Sequence, residues 1–192
     1  MVGFESSLEH DLMFRLDVDP DVIWFESQPT QIQFSDSSGA KRHYTPDVLV
    51  HYASRKGAPE QYVLYEVKYL EDLYKNWPDL KPRMAAAGAF AQAKGWRFEI
   101  QSEHEIKTDY LWNARLLWPY CRRTKVPLDR AAVLKVVRDL GEATISEVLA
   151  NFDECAPEVR SGCIVALWQL IAERLIHANL EVKLNDQSRV WK

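Results

Sequence analysis

Leu8, Leu12 and Leu16 recur every four residues, the stripe of an amphipathic helix, and Ser6-Ser7-Leu8-Glu9 reads as the capping box that opens it. The turn-forming run Asp17-Val18-Asp19-Pro20-Asp21 stops that helix. Beyond it the period shortens to that of strands. Val22–Phe25 is a short extended piece, and Gln31–Phe34 with Lys41–Tyr44 predicts a hairpin around Ser35–Gly39. Val48–Tyr52 continues the sheet, Lys56–Pro59 turns it, and Tyr62–Lys68 returns. Proline, charge and aromatics from Tyr69 through Trp77-Pro78 and Lys81-Pro82 predict a loop. An alanine-rich helix follows over Arg83–Lys94 and stops at Gly95; then come a strand over Trp96–Ile100 and a helix over Asp109–Tyr120.

The basic, proline-bearing run Arg122–Pro127 marks a boundary, which divides the chain into domains 1–123 and 124–192. The second predicts helices over Asp129–Leu140, from the Thr144-Ile145-Ser146-Glu147 capping box to Asn151, and over Pro157–Leu175. A hairpin of Leu180–Leu184 and Arg189–Trp191 around Asn185–Ser188 closes it. Three short helices and a terminal hairpin is a winged-helix-like pattern. The fold class expected for the whole chain is α/β: a mixed sheet flanked by helices, then this small domain.

With 192 residues, 47% of them hydrophobic, the chain is long enough to bury a sizeable core. Its net charge of −4 argues against a simple basic nucleic-acid binder, yet an acidic balance suits a site that must hold a cation. Three cysteines without metal-ligand spacing, no signal-peptide pattern and no membrane-length apolar run lead to the expectation of a reduced, cytoplasmic setting. The five histidines show no ligand spacing either.

The chemistry concentrates in two short stretches. Pro46-Asp47 opens one apolar strand, and Glu66-Val67-Lys68 ends the next. Side chains alternate along a strand, so Leu64, Glu66 and Lys68 share one face while Val63, Tyr65 and Val67 take the other. Two opposite charges on a covered sheet are not needed for folding. Carboxylates hold a hard divalent cation, with the Val67 carbonyl as a further oxygen ligand, and a lysine beside them orients water or neutralises charge in phosphodiester hydrolysis. Glu9 shares a helical face with Leu12, Met13 and Leu16, where a lone carboxylate needs a partner, and Glu5 is its substitute if the helix begins earlier. Tyr69, Tyr74, Lys75, Lys81 and Arg83 lie just past the Glu66 strand, within reach of DNA phosphate or simply solvated.

Together Ser7-Leu8-Glu9, Asp21-Val22, Gln28-Pro29, Tyr44-Thr45-Pro46-Asp47 and Glu66-Val67-Lys68 resemble TnsA, the endonuclease subunit of heteromeric cut-and-paste transposons and a member of the PD-(D/E)xK superfamily. Ala89–Gly95, Trp96–Ile100 and Ser102-Glu103 continue the likeness, and TnsA proteins also carry a winged-helix-like tail. The resemblance implies a restriction-endonuclease-like core that binds Mg²⁺, with Mn²⁺ able to substitute, and cuts the 5′ ends of the transposon. By position, Glu9, Asp47 and Glu66 would be its acidic set, with the Val67 carbonyl, and Lys68 its catalytic lysine. Some relatives carry Gln where this chain has Glu66. The implied partners are transposon-end DNA, a DDE-type transposase (TnsB-like) and an AAA+ ATPase regulator (TnsC-like). The same residues would serve a stand-alone restriction or repair nuclease, and the same fold without activity would serve as an assembly module. In the tail, Gln169 is the only polar side chain from Cys163 to Ile171, which favours protein docking over base reading.

Overall fold

Alternating apolar residues from Val48 to Val67 build the centre of a four-stranded sheet. The computed structural model describes residues 7–36, 38–54, 59–121 and 129–192. The chain divides into two compact units, Met1–Lys107 and Thr108–Lys192. The first contains α1 (Ser7–Val18), β1 (Val22–Ser27), β2 (Ile32–Ser35), β3 (Lys41–Tyr44), β4 (Val48–Tyr52), β5 (Gln61–Val67), α2 (Leu70–Ala93), β6 (Arg97–Gln101) and α3 (Glu103–Ile106). Ser6 of the expected capping box, Glu5, and most of the turn over Lys56–Pro59 lie outside the described residues.

The sheet order is β1-β4-β5-β6, with β5 and β6 parallel and the other pairs antiparallel. Alternation gives it two apolar faces. Val48, Val50, Val63, Tyr65 and Val67 pack beneath Leu8, Leu12 and Leu16 of α1. Leu49 and Leu64 pack on the other face with Leu80, Met84 and Ala87 of α2. β2 and β3 pair only with each other. The expected continuation of that hairpin into the sheet therefore fails: Pro46 cannot donate to a ladder, and the place beside β4 is taken by β1.

The largest departure from the sequence reading is α2. Its 24 residues include the stretch expected as a loop, with Pro78 and Pro82 inside the helix. Each proline removes one backbone donor. Pro78 is exposed, so the carbonyl it orphans is on the solvated side, while burial of Leu80, Met84, Ala87 and Ala91 holds the helix from the other side. Gly95, at φ +72°, ends it as expected.

The second unit runs α4 (Asp109–Cys121), α5 (Arg130–Leu140), β7 (Glu142–Thr144), α6 (Ile145–Ala150), α7 (Pro157–Ala172), β8 (His177–Ala178) and β9 (Arg189–Trp191), with strand order β7-β9-β8. The unit division precedes the boundary expected after residue 123, and the run Arg122–Pro127 lies outside the described residues. α4 belongs to the second unit because its fully buried Asn113 is wired into the tail. The Asn113 amide donates to the Leu180 and Val182 carbonyls at 2.8 and 2.9 Å and accepts the Leu184 N–H at 2.9 Å. Those bonds also explain why Leu180–Leu184 is not the expected strand: its backbone groups are occupied, and His177–Ala178 pairs with β9 instead. α7 ends at Ala172 rather than Leu175, with Arg174 left-handed at φ 59°. Among the described residues no helix is long and apolar enough to cross a membrane.

Candidate active site

β4 and β5 bring the two acidic residues together. The register pairs Val48 with Tyr65, and the Asp47 N–H extends the ladder to the Tyr65 carbonyl at 3.1 Å. Asp47 is held at three further points. Its carbonyl accepts the Gln28 N–H at 2.8 Å, its Oδ2 accepts the Val67 N–H at 2.7 Å, and the same oxygen lies 3.5 Å from the Lys68 ammonium. Gln28 reaches it from a left-handed backbone, φ 51°. On the other side of β5, the Lys68 N–H donates to the Gln101 carbonyl at the end of β6 at 3.0 Å.

Lys68 Nζ is the hub. It lies 2.9 Å from Glu66 Oε1, donates to the Val67 carbonyl at 2.9 Å, and faces Asp47. Burial falls away across the cluster: the Glu66 side chain is 1% exposed, that of Asp47 11% and that of Lys68 28%. The second Glu66 oxygen, Oε2, accepts a short hydrogen bond from the Tyr44 hydroxyl.

The electrostatics follow from crowding two carboxylates where water is scarce. Burial, and then repulsion from Glu66, push the Asp47 acid up from 3.8 to about 6, against the opposing pull of Lys68 and the Val67 N–H. Burial alone would lower the Lys68 ammonium, but Glu66, Asp47 and, more weakly, Glu9 outweigh it and raise its pKa. Burial and Glu66 also drive the Tyr44 phenol well above its usual range, so it is a hydroxyl donor.

The residues singled out in the sequence are thus only partly assembled. Asp47, Glu66, the Val67 carbonyl and Lys68 form one cluster. Glu9, 6% exposed on α1, adds to the field at Lys68, but among the described residues no three of His, Cys, Asp or Glu gather as a metal-holding group. The donors present are all oxygens, two carboxylates and a carbonyl drawn onto a single positive charge, which is the ligand chemistry of a hard divalent cation. Tyr44 received no separate role from the sequence reading. Its signal was its place in Tyr-Thr-Pro-Asp, three residues before Asp47, which says nothing of a bond to Glu66.

Compared with known proteins, residues 19–103 match the family described as TnsA-like endonuclease N terminal. No curated protein matches the chain. The matched span takes in β1 through β6 and contains Asp47, Glu66 and Lys68, whereas Glu9 precedes it. The strands that assemble the carboxylate–lysine cluster thus lie inside the matched span, and over residues 19–103 the chain is similar to the TnsA-like endonuclease N-terminal family.

Proposed function

We propose that the chain is a Mg²⁺-dependent DNA endonuclease subunit that cuts the 5′ ends of a transposon during excision. The observation that carries the reading is the convergence of Asp47, Glu66 and the Val67 carbonyl on the Lys68 ammonium. Asp47, Glu66 and the Val67 carbonyl would hold the cation, with Glu9 contributing from α1 and Mn²⁺ able to substitute. A bound cation supplies positive charge beside the scissile phosphate and lowers the pKa of water. Lys68, released from the three oxygens, orients the attacking water and offsets the charge developing on the phosphate. The Val67 N–H keeps Asp47 turned towards the same point.

After α4, the second unit has the element order helix, strand, helix, helix, strand, strand, which supports a winged-helix-like domain. Arg160 is paired with Asp153 at 2.9 Å, and Arg174 reaches the Tyr110 hydroxyl, so the cations near the ends of α7 are engaged within the protein. That favours docking to a protein over base reading, and the partners we assign are a DDE-type transposase and an AAA+ ATPase.

The test is strand-specific cleavage of transposon-end DNA with Mg²⁺, with and without the cognate transposase, by wild type and Asp47→Ala. Cutting at the 5′ ends that requires the transposase and is lost in Asp47→Ala is the expected result. Cutting by the chain alone would make it an autonomous nuclease. No cutting with every partner present would leave it an assembly module.

A further inference from the structure

Glu66 is nearly inaccessible, so its two oxygens can be satisfied only by protein or by whatever occupies the site. Oε1 faces Lys68 at 2.9 Å, and Oε2 accepts the Tyr44 hydroxyl. Tyr44 is itself fixed. It ends β3 in register with Ile32 of β2, is 8% exposed, and packs in one cluster with Leu49, Leu64, Leu80 and Met84. Its ring is therefore packed in the core with its hydroxyl donated to the Glu66 carboxylate.

We infer that Tyr44 is a positioning residue for the cation site: by occupying Oε2 it presents Oε1 of Glu66, and that oxygen alone, to the point where Lys68 now sits. The inference rests on the proposed cation-dependent chemistry. It differs from a purely structural role, because a buried tyrosine kept for packing would act equally whether or not residue 66 is a carboxylate. Groups that orient a ligating carboxylate commonly change metal affinity by roughly 10–100-fold when removed.

The experiment is direct binding of Mn²⁺, without DNA, followed by the paramagnetic signal of the free ion. It compares wild type, Tyr44→Phe, Glu66→Gln and the double variant of the full chain. Tyr44→Phe keeps the ring and its packing, and circular dichroism checks the fold. Expected is a loss of Mn²⁺ affinity of about 10-fold or more in Tyr44→Phe, and no further loss when Tyr44→Phe is added to Glu66→Gln, because the two act through one group. Cleavage by Tyr44→Phe should then recover at high Mn²⁺. Equal affinity in wild type and Tyr44→Phe, or losses that add in full, would overturn the inference while leaving the cation reading intact. A wild type that binds no Mn²⁺ would overturn both.

Discussion

Asp47 shows how the cluster works against folding. Its acid rises from 3.8 to about 6 through burial and the Glu66 charge. Between about pH 4 and 6 the folded state therefore holds this proton more tightly than the unfolded chain, and stability drains away as pH rises through that window. A shift of this size corresponds to about 1–3 kcal/mol. Asp47→Asn keeps an acceptor for the Val67 N–H and removes the charge. In chelator at pH 7 it should melt several degrees above wild type, and the gap should close towards about pH 3, where Asp47 is largely protonated in both states. Melting curves across that range check it; equal midpoints at pH 7 would contradict the account. The Lys68 contribution has the same sense in a higher window, fully present at neutral pH and lost only as pH climbs past the ordinary lysine range.

Among the elements, α2 is where local chemistry and tertiary packing disagree. Pro78 leaves a carbonyl without a donor, yet burial of Leu80, Met84, Ala87 and Ala91 carries the helix through. Pro78→Ala restores that donor and should stabilise the protein by about 1–2 kcal/mol, the helix gain being reduced by the looser unfolded chain. Denaturant unfolding measures it, and a destabilised Pro78→Ala would show that the proline fits a kink the fold requires. The same element explains what was legible beforehand. Alternation in Val48–Tyr52 and Tyr62–Lys68 disclosed both faces of the sheet and the meeting of Asp47 with Glu66 and Lys68, because those are short-period, local facts. Proline punctuation misled at residues 69–82, because the compensating contacts come from distant strands. In the tail, Leu180–Leu184 read as a strand, but a side chain about 70 positions away takes its hydrogen bonds. The Tyr44–Glu66 bond was hidden for the same reason: no period or spacing encodes a contact between β3 and β5.

At the scale of the whole molecule, each unit has its own core. The first is a sheet with α1 on one face and α2 on the other; the second buries Val133, Val137, Leu167 and Leu170 among its helices. Asn113→Ala would strip three hydrogen bonds from a fully buried position and leave backbone groups unpaired, at a cost of about 3 kcal/mol to the second unit. Hydrogen exchange should show lost protection at Leu184 and along β9, while β4 and β5 keep theirs. Equal loosening in both units would contradict the division.

The antiparallel pairing of β4 with β5 has a consequence for how the chain can be rearranged. Asp47 and Glu66 meet at one end of the pair, whereas the link from Tyr52 to Gln61 joins the strands at the other, about 17 Å away at the rise of an extended strand. The ladder, not the link, sets the register that joins the two carboxylates. The geometry of the carboxylate pair is thus indifferent to the length of that connection: a peptide tag could be spliced between Tyr52 and Gln61 with the Asp47–Glu66–Lys68 cluster unchanged.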